Sequence, residues 1–235
     1  TYWHGTSIYT RAHRVAVVSL ADGTVQYADG PGADGVIVSS DGKRVITSAD
    51  DGSRHIVGYR CDPDAETVCT VDWSADAQVP HERLAGFIGA GERFVTVGNW
   101  RFVVRDTETG EVRAMLPYPA ATVAGAVVSP DGTRLLVRSN TQFYLWNTAV
   151  WGKLEQIAME GRPFVKYAFH PTRPVLAVIR AGQTLIKYLD ANTGAVVRKF
   201  NWKLGEMRAV CFSPDGTLAA AGSAKGKIVV WDVDE

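Results

Sequence analysis

Apolar residues along this chain come in short runs, each closed by glycine, proline or aspartate. The last stretch shows the pattern most clearly. An apolar run at Ala209–Phe212 leads into the turn Ser213-Pro214-Asp215-Gly216; a second run at Leu218–Gly222 follows, then a third at Ile228–Trp231 closed by Asp232. Short runs bounded by turn formers predict three antiparallel strands.

The unit recurs. Its closing position falls at Asp29, Asp62, Asp106, Asn147, Asp190 and Asp232, in steps of 33, 44, 41, 43 and 42 residues. The first turn keeps the same beat at Ser39-Ser40-Asp41-Gly42, Gly89-Ala90-Gly91-Glu92, Ser129-Pro130-Asp131-Gly132, His170-Pro171-Thr172-Arg173 and Ser213-Pro214-Asp215-Gly216. Two independent markers sharing one period establish an internal repeat. Second runs such as Leu135–Val137 and Val175–Val178 are the most apolar, and their lack of alternation suits strands buried on both faces. Third runs carry aromatics: Tyr27, Tyr59, Phe102, Phe143, Trp146, Tyr188 and Trp231.

The first unit is short. Asp29 to Asp41 spans 12 residues, where the later equivalents span 25. Either an outer fourth strand is missing there, or a loop near Ala28–Ala33 is omitted. Cys61–Trp73 reads as an acidic outer hairpin, and residues 148–161 as an outer strand with a long loop.

The Trp-Asp ending, the Ser-Pro-Asp-Gly turn and a period within the ~40–45 residues of a propeller blade resemble the WD40-repeat β-propeller family over nearly the whole chain. The resemblance implies an all-β propeller forming a single domain, 1–235. Six blades are expected, the first short of its outer strand and the last closed by the N-terminus at Thr1–His4. Such a blade cannot bury both faces alone, so blades stack radially. Two features depart from the family: the loops lack its usual Gly-His, and Lys225, Thr141 and Trp100 stand near the place of its turn aspartate, which only Asp22 and Asp51 match. Blades held mainly by apolar packing are therefore expected.

By the same resemblance, function lies in loops gathered on one face around the channel mouth. The expected activity is a non-enzymatic interaction scaffold for a protein or peptide partner, acidic or phosphorylated. Its contacts are Trp100, Arg101, Arg162, Arg180, Arg208 and Lys225. Loop residues are weakly specified by packing, which is why binding settles in them. The opposite side is expected to be acidic, from Asp62, Asp64, Glu66, Glu108 and Glu111. Rival readings are a propeller hydrolase, lyase or sugar-binding module using the channel mouth, and a purely structural domain of a larger protein.

Charge and composition narrow the partners. Lys plus Arg and Asp plus Glu balance at 25 each, so no global field favours nucleic acid or an anionic membrane. No apolar run approaches the ~18 residues of a membrane span. The chain begins at Thr1 without a signal-peptide pattern, so it is expected to be cytoplasmic and part of a larger protein or complex. Cys61 and Cys69 flank one turn and could face each other across two strands; reduced thiols are the expectation, on the compartment argument. Cys211, inside an apolar run, is expected in the core.

No catalytic, metal or cofactor site is expected. The five histidines show no metal-binding spacing, and no Cys-x-x-Cys or Gly-x-Ser-x-Gly occurs. His170 stands where other units carry serine before proline, so a turn role is expected. Asp50-Asp51 precedes Gly52 and reads as turn chemistry.

Overall fold

The structure, a computed structural model, describes residues 2–3, 6–11, 14–19, 25–29, 35–39, 41–48, 55–62, 69–119, 122–139, 143–148, 155–157, 164–180 and 182–234. Among them every regular element is a strand, and the strands form six small antiparallel sheets. The chain divides into two compact units, Thr1–Val128 and Ser129–Glu235.

In the first unit, β1 (Tyr2–Trp3), β2 (Thr6–Arg11), β3 (Arg14–Ser19) and β4 (Val25–Asp29) pair in sequence order. So do β5 (Gly35–Val38), β6 (Arg44–Ser48), β7 (His55–Cys61) and β8 (Cys69–Asp76), and then β9 (Arg83–Ile88), β10 (Arg93–Gly98), β11 (Arg101–Asp106) and β12 (Val112–Pro117). The unit ends with β13 (Gly125–Val128). In the second unit, β14 (Arg134–Arg138), β15 (Phe143–Asn147) and β16 (Glu155–Ile157) pair in order. They are followed by β17 (Phe164–Phe169), β18 (Val175–Arg180), β19 (Ile186–Asp190) and β20 (Val196–Phe200). The last sheet has three strands, β21 (Met207–Phe212), β22 (Leu218–Ser223) and β23 (Ile228–Asp232).

The apolar second runs become the cores of these sheets, as their lack of alternation requires: Val45–Ser48, Phe94–Gly98 and Leu176–Ile179 are each buried throughout. Aromatics of the second unit fill the space between its last two sheets, where Tyr188, Phe200, Phe212, Trp202 and Trp231 meet at ring spacings of 4.5–6.5 Å. In the first unit Trp73, on β8, lies across the backbone of its neighbour strand. Its indole N–H donates to the Thr107 carbonyl at 2.9 Å and its ring stacks on Phe94. A Cβ on Gly58 would stand 2.2 Å from that ring, so only glycine fits there.

The recurrent first turn has a local cause. Ser39 Oγ donates to Asp41 Oδ1 at 2.6 Å, the Lys43 N–H donates to the same carboxylate, and the Arg44 N–H donates back to Ser39 Oγ. The same closed set recurs at Ser129/Asp131 and Ser213/Asp215. His170 takes over both roles in its own turn. Its Nδ1 accepts from the Thr172 and Arg173 N–H groups at 3.2 and 3.0 Å, and Nε2 donates to the Gly216 carbonyl at 3.0 Å. The turn role expected for His170 holds.

Those contacts need the neutral ring, because a proton on Nδ1 would face two N–H donors. Burial first, and then Arg173, hold the His170 pKa below the usual 6.5, against the Gly216 carbonyl and Asp234. With the folded value depressed, the unfolded chain binds the proton more readily. The contribution is therefore complete above pH 6.5 and is lost as pH falls through 6.5 towards the folded value. Melting curves from pH 7.5 to 5 should show stability falling, and His170→Ser, restoring the residue of the sister turns, should flatten that slope.

Three expectations are corrected. Tyr2–Trp3 pairs with Thr6–Ser7, so among the described residues the N-terminal strand belongs to the first sheet. Cys61 and Cys69 form a disulfide. They are directly opposed across β7 and β8 and both buried, a geometry that outweighs the compartment argument for reduced thiols. Cys211 is free and exposed, because Val210 and Phe212 take the packed side of β21 and turn Cys211 outward. Apolar packing dominates the buried residues, as expected, and the first unit adds a buried ion pair to it.

Candidate interaction surface

That ion pair sets the geometry around Trp100. Arg105 lies in β11 with 1% of its side chain exposed, and Glu82, just ahead of β9, has none. Arg105 Nε donates to Glu82 Oε1 at 3.2 Å, and its two terminal nitrogens donate to the Asp76 and Gly110 carbonyls at 2.8 and 3.0 Å. Glu82 also accepts from Thr96 Oγ1 and from the Gln78 and Val79 N–H groups. A buried charge survives only when paired and fully hydrogen-bonded, and here both conditions are met. The pair thereby fixes the loop at 77–82 that leads into β9.

The fixed loop packs on the β10–β11 turn. A Cβ on Gly98 would stand 2.2 Å from Val79 Cγ2, and the Asn99 N–H donates to the Pro80 carbonyl. With Gly98 and Arg101 paired, Asn99-Trp100 is a two-residue turn. Trp100 adopts φ +61°, a left-handed conformation that suits glycine or asparagine at this place and strains a bulky side chain. Its carbonyl accepts from the Tyr118 N–H at 2.9 Å, yet 55% of the residue is exposed. The indole thus stands out from a turn held rigid on both sides, with the exposed Arg101 next to it.

The second unit holds the other expected contacts. Arg208 donates to Glu206 at 2.9 Å, and the other oxygen of Glu206 accepts from the Gly182 N–H at 3.2 Å. The Lys225 methylenes pass beside Gly205. Arg208 thus holds the Glu206 carboxylate, and Lys225 runs past the same lead-in to β21. Arg180 ends β18, on the side of Lys187, whose pKa is lowered by burial first and then by Arg180. Arg162 lies outside the described residues. The structure so brings Trp100 together with Arg101 in the first unit, and sets Arg208 and Lys225 beside the lead-in to β21 in the second.

Of the residues expected to make the opposite side acidic, Asp64 and Glu66 lie outside the described residues, and Glu108 and Glu111 belong to a paired network. Arg44 and Arg60 both bond Asp72 and Glu108, and Arg113 pairs with Asp106 and Glu111. The Arg44 contact, ahead of the Arg60 one, holds the Asp72 carboxyl below the usual range. Beside this network lies a polar cavity of about 570 Å³ lined by Lys43, Arg44, Arg60, Cys61, Glu92 and Glu108.

Sequence reasoning missed the Glu82–Arg105 pair, although a signal was there. Arg105 precedes the closing Asp106 at the place where other units carry Trp146, Leu189 and Trp231. An arginine in that apolar slot requires a buried partner.

Residues 194–232 match the family model of the WD domain, G-beta repeat. Over 129 residues the chain is 30% identical to the serine-threonine kinase receptor-associated protein of Gallus gallus, a match covering 54% of this chain and 35% of that relative.

Proposed function

We propose that this chain, a WD40-repeat protein, is a non-enzymatic interaction platform that binds an acidic or phosphorylated peptide segment of a protein partner. Its six sheets act as six blades of a single propeller, with Trp100 as the anchor of the binding face. The observation that carries this is the strained, exposed Trp100. Left-handed backbone in a bulky residue costs of order 1–3 kcal/mol and persists mainly at functional sites. An exposed tryptophan beside arginine is also the composition of an interface hot spot. Arg101, Arg180, Arg208 and Lys225 supply the cations for a carboxylate or phosphate, arginine through paired N–H donors.

Phosphorylated and unphosphorylated peptide arrays test this with the wild type, Trp100→Ala and the triple variant Trp100→Ala, Arg180→Ala, Lys225→Ala. Loss of about 2 kcal/mol of binding is expected from Trp100→Ala alone. Trp100→Gly should separate strain from function: binding falls while stability rises by up to about 1 kcal/mol, because glycine accepts the turn. Unchanged binding in the triple variant removes the proposal.

A further inference from the structure

Among the described residues only three besides glycine take a left-handed backbone: Trp100 at φ +61°, His81 at +56° and Lys203 at +55°. The first two stand on adjoining turns. His81 follows Pro80, whose carbonyl accepts the Asn99 N–H at 3.3 Å, and Trp100 follows Asn99. One residue earlier, Val79 covers Gly98 so closely that a Cβ there would stand 2.2 Å from Val79 Cγ2. The chain at 79–81 therefore runs alongside 98–100. Strained backbone of this kind persists chiefly where function holds it, and here two such residues share one place.

Register brings Arg101 to the same side. It is paired directly with Gly98, and opposed residues of a sheet share a face. Its side chain thus leaves the sheet on the face that Val79 covers. The neighbouring carboxylates are already engaged: Glu82 is held by Arg105, and Asp76 Oδ1 lies 3.0 Å from His55 Nδ1. Arg44, Arg60, Arg105 and Arg113 each bond a carboxylate. Among the described residues neither Arg101 nor His81 does, and both are exposed.

We infer that His81 and Arg101 are the specificity-determining pair of the Trp100 surface, and that the group they select is a phosphorylated side chain, not a carboxylate. The inference rests on the platform reading above and adds which anion is bound and by which residues. The fork of one arginine satisfies both oxygens of a carboxylate, so a second donor beside it would have nothing to bind. A phosphoryl group brings three oxygens and about −1.5 to −2 charges at neutral pH. Arg101 takes two of those oxygens and an imidazole N–H of His81 the third, while Trp100 packs on the residue next to the phosphorylated one. All three residues belong to the first unit, so the site is complete without the cations of the second.

Three peptide libraries test this on the immobilised full chain. They are degenerate and identical except for a central phosphoserine, glutamate or serine. The wild type should retain the phosphoserine library at least fivefold better than the glutamate one. His81→Gly, which the left-handed turn accepts, and Arg101→Gln should each bring that ratio below twofold. His81→Gly should leave glutamate retention unchanged, whereas a merely structural role would lower both retentions together. Trp100→Ala should weaken both and keep their ratio, and melting temperatures check that each variant is folded. A ratio unmoved by His81→Gly and Arg101→Gln, with Trp100→Ala still weakening retention, overturns this inference and leaves the platform reading standing. So does a wild type that holds glutamate as well as phosphoserine. Retention of neither above serine overturns both.

Discussion

Arg105→Ala is expected to cost about 3–5 kcal/mol of unfolding free energy, because it strands a buried carboxylate. Glu82 has no side-chain exposure, and three further donors are already arranged around it. Removing the guanidinium also leaves the Asp76 and Gly110 carbonyls without their donors. The double variant Glu82→Gln, Arg105→Met should recover most of the loss, since replacing both partners of a buried pair is often close to neutral. Glutamine also keeps an acceptor for the Gln78 and Val79 N–H groups. Urea unfolding of the three proteins checks this, and a loss below about 1 kcal/mol for Arg105→Ala would show that the pair is not buried as described. Because the pair fixes the 77–82 loop under the Trp100 turn, Arg105→Ala should weaken peptide binding as well.

The second large effect is expected at Trp73. Trp73→Ala removes a ring stacked on Phe94 and its hydrogen bond to Thr107, a loss of about 3 kcal/mol, the low end for tryptophan because the residue is only half-buried. Gly58→Ala should cost about 1–3 kcal/mol by itself, since the new methyl meets the indole. The two losses must not add. With the ring gone the methyl has room, so the double variant should be no less stable than Trp73→Ala within about 0.5 kcal/mol. Simple additivity in a double-mutant cycle would mean that the ring does not lie over Gly58.

What could be read from the sequence was what is written locally. The Ser39/Asp41, Ser129/Asp131 and Ser213/Asp215 turns close hydrogen bonds within five residues, so each announces itself as a motif. The apolar second strands are legible because both their faces are buried. Trp100 was legible too, as a bulky residue where a turn former belongs. Its strain was not, because φ follows from how Pro80 and Tyr118 grip the turn. The Glu82–Arg105 pair joins residues 23 apart, and nothing local ties them. The N-terminal strand was misplaced for a related reason: a two-residue strand carries too little pattern to choose its neighbour, and the hairpin partner Thr6–Ser7 is the nearer one. Cys61 and Cys69 show compartment reasoning losing to register, since β7 and β8 set them directly opposite each other.

An experimental density map of the full chain, at a resolution that separates strands, tests the propeller reading most directly. Six small sheets set radially about a channel, with Trp100 at one rim, is the expected outcome. Two extended sheets stacked face to face, or a layer of helices, would contradict it and take the binding face with it.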